Sequence, residues 1–213
     1  MKDSTKHLED LTEIRSIMER STRFLSLSGW SGILAGFIAL IGTALAFLFL
    51  GNADLSIESL NAAQGVEKTL SNGVFLLVDA AVVLFLALLI TIFFSFRKAS
   101  RKGEKIWSPV TRRLLMHLSI PLITGALIVF ILIMQGQYAQ VAALTLIFYG
   151  LALVSAGKYT NQEIIWLGLV DILLGLAALV WPEYGLYFWA AGFGVLHLLY
   201  GITLYYKYDR QEG

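Results

Sequence analysis

Two ionisable residues near the C-terminus have the types and the spacing of a proton-exchanging pair. Asp171 and His197 lie in consecutive apolar segments, which a turn around Pro182 and Glu183 joins. Because the two residues are nearly equidistant from this turn, antiparallel helices would hold them at about the same depth, near mid-membrane. There they could form a hydrogen bond or an ion pair and exchange a proton, since histidine titrates near neutral pH. The alternative is a structural pair that fixes how the helices pack.

A third ionisable residue, Asp79, lies in a different apolar segment. A charge inside a bilayer is costly, so such residues face a functional path or a polar partner. Asp79 therefore predicts either contact with an external vestibule or a hydrogen bond to a neighbouring helix. We treat Asp79, Asp171 and His197 as the candidate intramembrane polar site.

Catalytic and metal-binding motifs are not apparent. The sequence has no cysteine and only three histidines, and it contains no GxSxG, HExxH or Walker-type loop. An enzyme that used Asp171 and His197 as acid and base on a lipid would need a nucleophile or a metal beside them. We therefore predict no enzyme activity, no catalytic residues, no cofactor and no metal site.

The elements that must position these residues are transmembrane helices. Hydrophobic residues make up 57% of the 213 residues and charged residues 15%, against about 45–50% and about 25% in soluble domains. The apolar runs are long enough for helices that cross a bilayer and about twice the length of barrel strands. The sequence predicts an all-α, polytopic six-helix bundle with spans at 29–50, 74–96, 114–134, 138–156, 164–181 and 184–206.

The basic residues predict the orientation of these spans. Of the 16 lysines and arginines, only Lys68 falls on the side of the predicted loop 51–72. The positive-inside rule then places both termini, the basic loop 97–113 and the tail 207–213 in the cytoplasm. The basic loop is explained by topology and by anionic lipid, so no nucleic-acid partner is predicted.

Residues 1–28 form a separate cytoplasmic region ahead of the transmembrane domain 29–206. Leu11, Ile14, Met18 and Leu25 recur at helical spacing opposite charged residues, which predicts an amphipathic helix. Such a helix either lies along the inner membrane surface or docks a partner or a second copy.

Small residues predict the seams between the helices. Ser28, Gly32 and Gly36 form a small-xxx-small series in the first span, which allows close approach of two backbones. The pairs Gly168 and Gly175 in span five and Gly194 and Gly201 in span six suggest seams within the chain. The series in the first span could instead form a homodimer face.

The last two spans also carry a family resemblance. The segment 168–182, GLVDILLGLAALVWP, followed by Gly192 and the Gly201–Ile202 step, resembles the repeating hairpin of HdeD-like proteins. These are small six-helix bacterial inner-membrane proteins associated with acid resistance. The Tyr149–Gly150 and Tyr200–Gly201 steps hint at a duplicated hairpin, which that family also contains. The resemblance covers mainly residues 164–206 and implies six helices and a bacterial inner membrane, but no established reaction.

Together these patterns predict a non-enzymatic integral membrane protein in the cell membrane. It would act as a subunit, a scaffold or a stress-related sensor, through a protein partner or a homo-oligomer. The alternative is a small proton- or ion-coupled transporter or channel that uses Asp171, His197 and Asp79.

Overall fold

The computed structural model describes residues 28–50, 66–101, 103 and 107–210. In this part of the chain all regular elements are helical, which confirms the predicted all-α class. The first five long helices are α1 (Gly29–Leu50), α2 (Val66–Arg101), α3 (Pro109–Met134), α4 (Val141–Ala156) and α5 (Glu163–Val180). Six helices among the described residues are long and apolar enough to cross a membrane. The protein is therefore a multi-pass integral membrane protein.

The sixth long helix, α6 (185–209), is irregular. It follows a 3-10 turn at Pro182–Tyr184 and consists of consecutive α and π segments: Gly185–Trp189 (α), Ala190–Leu196 (π), His197–Leu204 (α) and Tyr205–Asp209 (π). Short π segments inside helices are rare and often lie at functional sites. Hydropathy carries no signal for them, because a π turn and an α turn are equally apolar.

The helix bounds differ from the predicted spans mainly where helices leave the apolar region. Helix α2 begins at Val66 rather than 74 and ends at Arg101 rather than 96. Hydropathy marks only the lipid-crossing part of a helix, whereas the hydrogen-bond ladder continues into polar residues. The predicted external loop 51–72 is accordingly shorter, and residues 51–65 lie outside the described residues.

Local capping and turn residues set the bounds of the next two helices. Helix α3 begins at Pro109 rather than 114, because the Ser108 hydroxyl accepts a hydrogen bond from the Thr111 N–H (3.1 Å) and Pro109 suits the first helical position. Helix α4 begins at Val141 rather than 138. Gly136, with a φ of 72°, makes the sharp turn after α3, and the chain becomes helical again only after residue 140.

Other predictions fall on parts of the chain that are not described. The amphipathic helix over residues 1–28 lies outside the described residues except for Ser28, and so does most of the central part of the basic loop 97–113. The predicted tail 207–213 is described to residue 210, and α6 extends into it as far as Asp209.

The helices pack in the order α3, α4, α5, α6, α1, α2. Helix α6 is central, since it contacts both α1 and α5. Helix α2 packs mainly on α1 and helix α3 mainly on α4, so these two form the edges of the bundle. The edge helices expose apolar side chains around most of their circumference, which is the pattern of helices in contact with lipid.

Glycines bring the central helices close together. A Cβ atom added to Gly32 of α1 would lie 2.8 Å from the Gly201 Cα, and one added to Gly36 would lie 2.7 Å from the Gly194 carbonyl oxygen. A Cβ atom on Gly168 of α5 would lie 2.6 Å from the Gly150 carbonyl oxygen of α4. Gly32 and Gly36 of α1 thus face α6 of the same chain.

The second seam residue of α5, Gly175, has the same relation to α4. A Cβ atom there would lie 2.8 Å from the carbonyl oxygen of Ala143. The backbones of α4 and α5 therefore touch at two levels, one helical repeat of seven residues apart.

One carboxylate ties three helices together at the end of the bundle where α1 begins. Asp209 of α6 accepts hydrogen bonds from the Gly29 N–H (2.8 Å) and the Ser28 hydroxyl (3.1 Å), and it forms an ion pair with Lys98 of α2 (2.6 Å). The carboxylate therefore also lies at the positive end of the α1 dipole. The side chains of Asp209 and Lys98 are 13% and 11% exposed, so solvent screens this pair only weakly.

We expect Asp209→Ala to destabilise the bundle by roughly 2–3 kcal/mol, because it removes the part-buried ion pair with Lys98 and the acceptor of the Gly29 N–H and the Ser28 hydroxyl. Lys207→Ala is the matched control. It removes an ion pair with Glu163 in which the lysine is 57% exposed, so its effect should be much smaller. Thermal unfolding of both variants in the same detergent measures the difference. Equal losses would show that the Asp209 contacts contribute no special stability.

Candidate functional site

Asp171 lies on α5 in the middle of the packed helices. Its side chain is fully buried, and neither carboxylate oxygen has a hydrogen-bond partner among the described residues. The carboxylate faces Gly192 in the first π segment of α6, where an added Cβ atom would lie 2.8 Å from Asp171 Oδ1. Glycine at position 192 therefore makes the room that the carboxylate occupies.

His197 lies on α6, also buried, and both of its ring nitrogens have partners. Nδ1 lies 2.9 Å from the Gly192 carbonyl oxygen, and Nε2 lies 2.7 Å from the Tyr149 hydroxyl of α4. A carbonyl oxygen only accepts, so Nδ1 must carry a proton. In a neutral ring Nε2 then accepts the hydrogen bond that the Tyr149 hydroxyl donates.

Asp171 and His197 thus lie on neighbouring helices but have different surroundings. No hydrogen bond or ion pair joins them within the described residues, because the two ring nitrogens are taken by Gly192 and Tyr149. Gly192 lies against both groups: its Cα faces the carboxylate and its carbonyl oxygen accepts from the imidazole. The two groups are separate neighbours of one glycine rather than a direct pair.

The surroundings of this cluster are aromatic and apolar. The rings of Tyr149 and Phe193 have centroids 4.9 Å apart, and those of Tyr149 and His197 are 5.4 Å apart. The Tyr200 hydroxyl, one turn beyond His197, is buried and has no hydrogen-bond partner among the described residues. An ionised carboxylate without a hydrogen-bond donor is costly in such surroundings. They therefore favour the neutral, protonated form of Asp171.

Sequence reasoning did not single out Tyr149, Gly192 and Tyr200 as site residues. Tyr149 is 48 residues from His197, and only packing of α4 against α6 brings them together. A signal was nevertheless present, since both tyrosines carry a hydroxyl into an apolar span and both precede a glycine of the suspected repeat. Gly192 belongs to the segment that carries the family resemblance, which assigns it no contact.

Asp79 lies at a different place, on α2 where this helix packs on α1. Its side chain is half-buried, and its carboxylate oxygens lie 3.3 and 3.5 Å from where a Cβ atom of Gly42 would stand. It therefore does not join the cluster around Asp171. The third candidate of the sequence analysis belongs to the α1–α2 contact.

The described residues offer no metal site. They contain no group of three or more histidine, cysteine or acidic side chains that could hold an ion. His117 of α3 forms a hydrogen bond with the Tyr159 hydroxyl (3.1 Å), in the turn between α4 and α5. His117 and His197 therefore have different hydrogen-bond partners.

Comparisons with models of known protein families, with curated proteins and with solved structures returned no match for this chain. The assignment of a function therefore depends on the geometry of the residues themselves.

Proposed function

We propose that this protein is a small proton-coupled membrane transporter or channel in which Asp171 takes up and releases the proton. One observation carries the proposal: a carboxyl group lies at the centre of a transmembrane bundle, fully buried, with no hydrogen-bond donor for either oxygen among the described residues. A carboxyl group that only fixed helix packing would be expected to have a donor.

The histidine and tyrosine beside Asp171 support the proton over other ions. Nε2 of a neutral His197 is a proton acceptor, and it is held by a hydroxyl that can itself donate and accept. Gly192 lies against both the carboxyl group and the imidazole, and we propose that a rotation of α6 or an intervening water molecule connects the two. A metal cation would instead require several oxygen ligands, and Asp171 is one carboxyl group facing carbon atoms.

The irregular backbone of α6 supports a moving part at this position. The π segment Ala190–Leu196 contains Gly192 and ends next to His197. A π segment can convert to an α-helix with a shift of the residues beyond it, and that shift would turn His197 relative to Asp171. We propose this conversion as the step that changes which side of the membrane the proton can reach.

The distribution of the basic residues indicates how the bundle is oriented in the membrane. We propose that both termini face the cytoplasm of a bacterial cell, because the basic residues follow the positive-inside rule. In this orientation Asp209, Lys98 and the first turn of α1 lie at the cytoplasmic surface. Asp171 then lies between this surface and the hairpin at Pro182, which faces outward.

A second candidate function is that of a non-enzymatic subunit, scaffold or stress-related sensor. The edge helices α2 and α3 favour it, since each packs mainly on one neighbour and exposes an apolar surface on which a partner helix could lie. The glycines of α1 give it less support than expected, because they pack on α6 of the same chain. Native mass spectrometry from mild detergent tests it: we expect a reproducible partner or oligomer for a subunit, and a lone monomer would contradict that role.

Proton flux is the direct test of the leading proposal. The purified protein is reconstituted into liposomes that contain a pH-sensitive dye, and a potassium diffusion potential drives protons inward. Vesicles with protein should acidify faster than vesicles without it. Equal rates in both would rule out proton conduction by this chain in the absence of a second substrate.

A further inference from the structure

The contact between α1 and α2 contains a groove that the proton cluster does not use. Its volume is about 480 Å³, and it is an open groove rather than an enclosed cavity. The groove opens sideways toward lipid, since Leu48 and Val78 on its walls are 78% and 56% exposed. Its lining consists of one carboxylate and six apolar side chains: Asp79, Leu45, Leu48, Phe49, Phe75, Val78 and Val82.

The carboxylate is the anomaly in this groove. Asp79 has neither a hydrogen bond nor an ion pair with any of the described residues, and its side chain is held against α1 at Gly42. An acidic side chain on a surface that meets lipid is costly unless something of opposite charge offsets it. The groove therefore presents one carboxyl group without a partner among the described residues, within apolar walls.

The aromatic rings of the groove favour the same kind of ligand. Phe49 of α1 and Phe75 of α2 stack with centroids 3.7 Å apart and nearly parallel planes. Phe75 is four residues before Asp79 on α2, so ring and carboxylate lie on the same face of this helix. Aromatic faces attract cations, and a carboxylate adds a direct charge interaction.

We propose that this groove binds a lipophilic organic cation, such as a hydrophobic amine or a quaternary ammonium or phosphonium ion that reaches it from the membrane. The apolar walls accept the hydrocarbon part, and Asp79 with the phenylalanine rings accepts the charge. A neutral lipid chain would leave Asp79 unmatched, and a metal ion would find a single carboxylate and no other oxygen ligand in the lining. The inference does not depend on a proton role for Asp171.

Equilibrium binding of tetraphenylphosphonium to the full-length protein, purified in an uncharged maltoside detergent, tests this inference. The wild-type protein should bind the cation saturably, with one site per chain. Asp79→Asn should raise the dissociation constant at least tenfold, and Phe75→Leu should raise it severalfold. Glu163→Gln is the matched control, since it removes a carboxylate of α5 that does not line the groove and should leave the affinity unchanged.

A second variant, which fills the groove, keeps the test informative if Asp79→Asn does not fold. Val82→Trp leaves the carboxylate in place but occupies the space beside it, so binding should be lost while the protein still elutes as a single species. The neutral triphenylphosphine oxide should not compete with the cation. Equal binding by the wild type, Asp79→Asn and Val82→Trp, or the lack of saturable binding by the wild type, would overturn the proposal.

Discussion

Replacing Asp171 with asparagine is expected to abolish proton flux into liposomes and to leave the protein folded. Asparagine has nearly the same shape as aspartic acid but cannot release a proton at any physiological pH. Under the proposed function each proton passes through this carboxyl group. Flux should therefore fall to the level of protein-free vesicles.

The effect on stability should be small by comparison. The carboxyl group lacks hydrogen-bond donors among the described residues, so an amide in its place loses no such contact. Because the neutral acid and the amide have nearly the same shape, the exchange should change the stability little. A thermal unfolding curve near that of the wild type would therefore separate loss of function from loss of fold.

Infrared spectroscopy detects the proton on the Asp171 carboxyl group without a measurement of proton flux. The wild-type protein should show the carbonyl band of a protonated carboxylic acid in apolar surroundings, and Asp171→Asn should lack that band. Asp79→Asn is the matched control: it removes an aspartate from another helix pair and should keep the Asp171 band. This measurement remains informative if transport requires a second substrate that the liposomes do not contain.

Two results would count against the role of Asp171. Wild-type flux in Asp171→Asn would mean that protons cross the membrane elsewhere. A difference spectrum without the protonated carboxyl band would mean that Asp171 is ionised, which requires a positively charged partner that the described residues do not provide.

The sequence predicted the six helices because their signal is local and strong. An apolar run of about 20 residues has few alternatives to a membrane-spanning helix. The depth of Asp171 and His197 also followed from counting residues along a hairpin whose turn is marked by Pro182. Both inferences require only the rise per residue of a helix.

The partners of these residues could not be predicted in the same way. Depth places two side chains at one level, but the rotation of each helix about its axis decides which atoms meet. In α6 this rotation depends on the π segment Ala190–Leu196, which turns the Nδ1 atom of His197 toward Gly192. The contact of His197 with Tyr149 further requires that α4 packs beside α6.

The contacts of Asp209 illustrate a second limit of prediction from hydropathy. A polar residue after the last apolar run resembles a solvent-exposed tail, and the sequence predicts a cytoplasmic tail over 207–213. In the structure α6 continues to Asp209 and brings its carboxylate to the first turn of α1, 180 residues away. Only the three-dimensional packing of the first and last helices reveals this contact.

Adding a single methyl group at Gly201 is expected to separate α1 from α6. A Cβ atom at this position would lie 2.7 Å from the Gly29 carbonyl oxygen and 2.7 Å from the Gly32 carbonyl carbon. These are backbone atoms of the facing helix and cannot rotate away as a side chain can. Gly201→Ala should therefore destabilise the protein by about 2–3 kcal/mol, more than the roughly 1 kcal/mol that alanine contributes to helix propensity.

Gly185→Ala is the matched control for Gly201→Ala, because both exchanges add one methyl group to α6. The nearest atom to a Cβ at Gly185 is the Ala142 Cβ at 3.4 Å, an ordinary contact, so this variant should unfold at or above the wild-type temperature. Thermal unfolding and the molecular mass of both variants in detergent are the measurements. A change of mass for Gly201→Ala without loss of stability would indicate that these glycines join two chains. Loss of stability at constant mass is the result that the packing of Gly29, Gly32 and Gly201 within one chain requires.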